Sequence, residues 1–145
     1  MLSTRPLPPV YYALGVAGLI PFLAGPALTV TGYAPFALLM FTTYSLAIAC
    51  FLSGTWWGLA IARGLTHPAV AVASNLATLA GFGAVVALEP SLALMVLAGV
   101  FVLLLAGDVK VPALQTELRG YRRLRTALTL VVIGCHIAML ALLPG

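Results

Sequence analysis

Long apolar runs constrain the fold of this sequence more than any other feature. Of its 145 residues, 63% are hydrophobic and 7% are charged, whereas a soluble domain carries about 25% charged residues. So few ionised side chains do not cover a globular surface in water, and disorder requires low hydrophobicity and high charge. The sequence therefore predicts one all-α integral membrane domain over residues 1–145, with the lipid bilayer as its surroundings.

Five stretches meet or approach the roughly 20 apolar residues that a helix needs to cross a bilayer. We predict a five-helix bundle with spans at about residues 10–30, 35–62, 68–88, 91–107 and 126–143. Pro21 and Pro26 remove backbone donors from the first span and are expected to kink it. The carbonyl groups freed by a kink need a side chain, water or a ligand as partner.

The basic residues all fall on one side of this five-span arrangement. They are Arg5, Arg63, Lys110, Arg119, Arg122, Arg123 and Arg125. Because cytoplasmic loops carry an excess of Lys and Arg, this distribution predicts a cytoplasmic N-terminus and an outside C-terminus. The net charge of +4 does not indicate nucleic-acid binding, since no basic stripe with interleaved aromatic residues is present.

The polar segment 108–125 has a helical pattern of apolar residues at Leu114, Leu118 and Tyr121. It predicts a short amphipathic helix at the cytoplasmic interface. The polar face of that helix would offer its arginines to anionic lipid headgroups; these are Arg119, Arg122, Arg123 and Arg125. The alternative is a solvated loop whose charges only set the topology.

Small residues recur every four positions along the second predicted span. They are Cys50, Gly54, Gly58 and Ala62. Small side chains let helix backbones approach closely in lipid, so we interpret this stripe as a helix-packing seam within the bundle. The alternative is that Gly54 and Gly58 pack against a second copy or another membrane protein. A similar stripe, Ala73, Ala77 and Gly81, lies in the third span.

His136 is the main candidate for chemistry, because an ionisable residue deep in a span is a candidate functional site. We expect a neutral, hydrogen-bonded structural residue; the alternative is a haem ligand or a hydrogen-bond partner of a quinone. Trp56, Trp57 and Asn75 are predicted at a similar depth to one another, in the cytoplasmic half of the membrane. With His136, they are candidates to line a ligand pocket. Interhelical packing is the ordinary alternative for these three.

Catalytic motifs are missing from the sequence. No predicted span contains a carboxylate to serve as partner of His136, and phosphate loops, dinucleotide fingerprints and zinc-ligand spacings are absent. His67 is predicted at the cytoplasmic interface, away from the depth of His136, so no metal site is expected. Cys50 and Cys135 lie in apolar runs and are interpreted as small apolar residues. We expect neither an enzyme nor a bound cofactor.

Three stretches carry a family resemblance over nearly the whole chain. They are Leu14-Gly15-x-x-Gly18-Leu19-Ile20-Pro21-Phe22-Leu23-Ala24, Phe51-Leu52-Ser53-Gly54-x-Trp56-Trp57-Gly58-Leu59-Ala60 and Tyr121-x-x-Leu124-Arg125-x-x-Leu128-Thr129. In this order they resemble the transmembrane-protein-69-like family of small membrane proteins, classed as a domain of unknown function. The family occurs in proteobacteria and in the mitochondrial inner membrane, so the resemblance implies five helices and an inner-membrane address, and no settled activity. We expect a bacterial inner membrane. Trp56 departs from the family pattern, which often has His or Arg before Trp-Gly.

Two functional hypotheses follow. The first is a non-enzymatic accessory, stabilising or assembly subunit that works beside other membrane proteins or as a homo-oligomer. It is favoured because catalytic motifs are missing from the sequence and stripes of small residues are present. The alternative is a binder or carrier of a quinone, haem or lipid within the bundle. An ion-conducting oligomer is disfavoured, because no polar stripe runs the full length of any span.

Overall fold

The helices of the chain are defined by a computed structural model that describes residues 6–65, 68–111 and 120–143. They are α1 (Pro9–Ala17), α2 (Ile20–Val30), α3 (Ala34–Ala62), α4 (Ala69–Ala87), α5 (Pro90–Lys110) and α6 (Tyr121–Leu142). The first two form one pass, Pro9–Val30, so the described residues contain five helical passes that are long and apolar enough to cross a membrane. This confirms the predicted all-helical, five-span fold.

The first pass is broken before Pro21 and Pro26. Helix α1 ends at Ala17, and α2 begins at Ile20 with Pro21 in its first turn, where a proline costs no helical hydrogen bond. The hydroxyl of Tyr44 on α3 donates to the carbonyl of Gly18 across 3.0 Å. A side chain from the next helix thus satisfies a backbone group at the break. Pro26 lies inside α2 without ending it.

The last two spans are longer at one end than predicted. Helix α5 continues to Lys110 and α6 begins at Tyr121, so residues 108–110 and 121–125 belong to helices that are long and apolar enough to cross a membrane. The interfacial helix over 108–125 therefore stays a prediction, with the first and last residues of that segment placed in α5 and α6. Its central residues 112–119, which include Leu114, Leu118 and Arg119, lie outside the described residues, as do His67 and Arg5.

The passes form a closed ring in which each packs on its neighbours in sequence and α6 returns to α2. Helix α3 also packs on α5, which places α4 outside the layer formed by α2, α3, α5 and α6. Because the passes alternate in direction, the end of α3, the end of α5 and the start of α6 meet at one end of the bundle. We call this the basic end, after Arg63, Lys110, Arg122 and Arg123.

The small residues of α4 do form a seam. Ala77 and Gly81 are buried, and a Cβ added to Gly81 would lie 3.2 Å from Cδ1 of Leu46 on α3 and 3.6 Å from Cδ2 of Leu97 on α5. This glycine therefore lets α4 approach the two helices behind it, as small residues do in membrane bundles.

Candidate functional site

A buried polar network joins three helices near the basic end. The indole Nε1 of Trp56 on α3 donates to Oδ1 of Asp108 on α5 across 2.7 Å. The guanidinium Nε of Arg125 on α6 donates to Oδ2 of the same carboxylate across 2.8 Å. Nη1 of Arg125 also lies 3.4 Å from the hydroxyl oxygen of Thr129 one turn further along. One carboxylate therefore connects α3, α5 and α6.

The network is largely sealed from its surroundings. The exposed fractions of the Arg125 and Asp108 side chains are 9% and 14%, and Trp56 is buried. Its indole ring lies directly over Gly107, where an added Cβ would overlap ring atoms. The glycine before Asp108 thus makes room for the aromatic ring that donates to the carboxylate.

Asp108 corrects the expectation that no span contains a carboxylate. Helix α5 includes it in its last turn, because pairing with Arg125 and Trp56 removes the cost of leaving the charge unpartnered near the membrane. In the sequence alone, Asp108 and Arg125 stand at the two ends of a polar segment. The signal that pointed to the pair was their opposite charge at the facing ends of two apolar runs.

His136 lies deeper in the bundle, inside an aromatic cluster. Its ring has no exposed surface, and its centroid lies 4.8 Å from that of Phe41, 5.5 Å from that of Phe101 and 6.1 Å from that of Phe22. Nδ1 lies 2.8 Å from the carbonyl oxygen of Val132. A carbonyl only accepts, so Nδ1 carries a proton and Nε2 of the neutral ring is an acceptor.

Two buried side-chain atoms in the described part of the chain have no hydrogen-bond partner. They are Nε2 of His136 and the hydroxyl oxygen of Ser45. Ser45 is fully buried on α3, one helical turn beyond Phe41. Most buried side-chain polar atoms in proteins have a hydrogen-bond partner, so these two unpartnered atoms are exceptions within the core.

The structure does not gather the proposed ligand-lining residues into one pocket. His136 and Trp56 are buried at different levels, with Trp56 bound to Asp108. Trp57 is exposed on the outer surface of α3. Asn75 is also exposed, and its amide donates to the carbonyl of Ala71 in its own helix across 2.8 Å. Trp57 and Asn75 are therefore not buried in the core with Trp56.

The other polar groups within the passes also serve the bundle. The hydroxyl oxygens of Ser53 and Thr78 lie 2.6 Å apart between α3 and α4, and the hydroxyl of Ser74 donates to the carbonyl of Ser53 across 2.7 Å.

Cys50 and Cys135 are free thiols. Among the described residues, no three His, Cys, Asp or Glu side chains are grouped so as to hold a metal ion.

The small-residue stripe of α3 faces away from the bundle. Gly54, Gly58 and Ala62 are exposed and Cys50 is half-buried. No atom of the described chain lies within 4 Å of a Cβ added to Gly54 or Gly58. The expectation that this stripe is a seam within the bundle is therefore corrected. The inward side of α3 is formed by other residues, among them Phe41, Ala49 and Trp56.

The arginines at the start of α6 divide into two groups. Arg122 and Arg123 are exposed at the basic end, where the predicted contact with anionic headgroups requires them. Arg125 was included in the same prediction, but its side chain is buried against Asp108. At 3.6 residues per turn, Arg125 lies on nearly the opposite side of α6 from Arg123, on the face that also carries the buried Thr129.

Five apolar passes around a core with few polar groups define a multi-pass helical bundle of the membrane-protein class. Residues 7–141 match the model of a family described as "Protein of unknown function (DUF3429)". The match covers most of the chain, which therefore belongs to this family. No curated protein and no solved structure is significantly similar to the chain.

Proposed function

We propose that this protein is a non-enzymatic accessory subunit that packs against another membrane protein through the outer face of α3. We call that face the glycine face and define it by Cys50, Gly54, Gly58 and Ala62. The observation that carries the proposal is the open space around Gly54 and Gly58, where no chain atom lies within 4 Å of an added Cβ. A partner helix gains close backbone packing on such a surface.

Three other glycines are packed within the chain, and Gly83, Gly99 and Gly134 are open but have no glycine four residues away. Gly25 lies against Phe41, Gly81 against Leu46 and Gly107 against Trp56, so these glycines serve contacts within the bundle. Gly54 and Gly58 have the same four-residue spacing that membrane helices use for close association, without any contact of that kind in their own chain.

The use of polar groups supports a role without catalysis. Asp108, Arg125 and Trp56 bond to one another, and Ser53 and Ser74 join α3 to α4. These groups hold helices together in an arrangement that offers no nucleophile paired with a base. Their use for assembly fits a protein whose role is structural.

The membrane and its orientation belong to the same proposal. We place the basic end in the cytoplasm of a bacterium, with the chain in the inner membrane, since Arg63, Lys110, Arg122 and Arg123 cluster there. Arg122 and Arg123 then contact anionic headgroups. The resemblance to the transmembrane-protein-69-like family supports this location.

The test compares two glycines that are equally open in the protein. Gly54→Leu fills the glycine face, whereas Gly99→Leu fills an exposed site on α5 that also has no atom within 4 Å of an added Cβ. Each variant is extracted from native membranes in mild detergent, and the particle mass and accompanying polypeptides are measured. We expect the partner to be lost from Gly54→Leu and kept by Gly99→Leu.

Equal retention of the partner by both variants would contradict the proposal, as would an unaccompanied wild-type protein. The unfolding of each purified variant provides the control for folding. Because no atom of the described chain lies within 4 Å of the added Cβ at either position, both variants are expected to unfold under the same conditions as the wild type.

A further inference from the structure

Two unpartnered groups in the core have complementary hydrogen-bonding roles. Nδ1 of His136 donates to Val132, which leaves Nε2 as an acceptor. The hydroxyl of Ser45 is a donor and an acceptor, and neither function is used. Unpaired polar groups are costly in a bilayer interior, so both groups need a partner.

Phe41 relates the positions of the two groups in the core. The ring of Phe41 contacts the ring of His136 edge to face, and Ser45 follows Phe41 by one turn on the buried face of α3. Side chains of a helix lean toward its N-terminus. Because α3 and α6 run in opposite directions, the side chains of Ser45 and His136 tilt in opposite senses along the bundle axis. They are not within direct hydrogen-bonding distance.

We propose that Ser45 and His136 together bind one small neutral hydroxyl group, that of a water molecule or an alcohol, between α3 and α6. The guest hydroxyl donates to Nε2 of His136, and its oxygen accepts from the hydroxyl of Ser45. A single O–H group thereby satisfies both buried atoms, as internal waters do for otherwise unpaired polar groups.

The chemistry of the site selects a neutral guest. The aromatic rings of Phe22, Phe41 and Phe101 surround His136 and offer no group to balance a charge. A carboxylate or ammonium group would therefore be buried without a counter-ion, which is strongly unfavourable. A carbonyl-only ligand accepts from Ser45 but leaves Nε2 unpaired, so a hydroxyl fits better than a quinone carbonyl.

The test is solid-state NMR of the protein carrying ¹⁵N-labelled histidine in phosphatidylcholine bilayers. A His67→Gln background leaves His136 as the sole histidine, since the chain contains two. We expect a protonated Nδ1, and a ¹⁵N shift of Nε2 in the range of hydrogen-bonded acceptors. We also expect magnetisation transfer to Nε2 from a hydroxyl proton outside the protein.

Two sample preparations distinguish the source of the hydroxyl. If transfer comes from exchangeable water protons in a sample holding only synthetic phospholipid, the guest is water. If the hydrogen-bonded shift is lost there and returns with native lipid extract, the guest is an alcohol from the membrane. A Nε2 shift typical of an unbonded acceptor in both samples would overturn the proposal.

A pair of variants tests the role of Ser45. Ser45→Ala is expected to move the Nε2 shift toward that of an unbonded acceptor. Thr42→Val is the matched control, because the hydroxyl of Thr42 is already bonded to the carbonyl of Leu38 at 2.9 Å, and it should leave the shift unchanged. An unchanged shift in Ser45→Ala, or a Ser45-dependent shift without transfer from any guest proton, would exclude the shared site.

Discussion

Trp56 and Asp108 are joined by a 2.7 Å hydrogen bond although they lie 52 residues apart. The bond connects α3 to α5, and the same carboxylate binds Arg125 of α6. Three helices that run past one another at the basic end are therefore held in register by a single acidic side chain. Charged hydrogen bonds of this kind are stronger than neutral ones.

Trp56→Phe is expected to destabilise the bundle by about 1.5 to 3 kcal/mol, because the Asp108 carboxylate loses a donor while remaining buried. Trp57→Phe is the matched control, since Trp57 lies on the exposed side of the same helix. Reversible unfolding in mixed micelles measures both. Equal losses of stability in the two variants would show that the indole N–H of Trp56 contributes nothing specific.

Removing one partner of the ion pair should cost more than removing both. Asp108→Asn leaves the buried guanidinium of Arg125 without its counter-charge, at an expected cost of about 3 kcal/mol. The double variant Asp108→Leu with Arg125→Met has no buried charge and should be more stable than Asp108→Asn. Free energies of unfolding measure this order. If the costs of Asp108→Leu alone and Arg125→Met alone add up to the cost of the double variant, the two residues are not directly coupled.

The close-packed glycines should not tolerate even one methyl group. A Cβ added to Gly25 would lie 2.5 Å from Cδ2 of Phe41, and one added to Gly107 would overlap the Trp56 ring. Alanine at either position should cost about 1 to 3 kcal/mol through overpacking. At Gly99, which has open space, alanine should be neutral or stabilising. A thermal unfolding series that fails to separate Gly99→Ala from the other two would refute this assignment.

Glu89 provides a pH-dependent contribution at the start of α5. The hydroxyl of Ser91 and the backbone N–H groups of Leu92 and Ser91 donate to its carboxylate and hold its pKa below the ordinary value of 4.5. The unfolded chain therefore takes up the proton at higher pH. The stabilisation is present above pH 4.5 and is lost as the pH falls through the lowered pKa.

The measurement is the difference in melting temperature between the wild type and Glu89→Gln as a function of pH. The wild type should be the more stable protein at neutral pH, and the difference should shrink under acid conditions. A difference that stays constant from neutral pH to below pH 4 would rule out a contribution from the ionised carboxylate.

The sequence was sufficient to predict the number and approximate positions of the passes. Hydropathy sets them, because only about 20 consecutive apolar residues satisfy a helix in lipid. The end of α5 was predicted too early and the start of α6 too late. Asp108 and Arg125 each suggest a polar connection when they are considered alone. Their mutual neutralisation depends on tertiary contact, which hydropathy does not describe.

The inward and outward faces of the helices were harder to predict. In a soluble helix, the polar face marks the outside, but here the outside is as apolar as the core. Phe51 is 69% exposed and Phe41 is fully buried on the same helix, although their side chains are chemically identical. The direction of the glycine face and the separation of Trp56 from Trp57 therefore required the three-dimensional structure.

The central claim is that the glycine face contacts a protein in the membrane. A photo-reactive amino acid at position 58, irradiated in native membranes and compared with the same residue at position 99, tests it most directly. We predict a discrete polypeptide adduct at position 58 and only lipid adducts at position 99. Lipid adducts alone at both positions would contradict the claim.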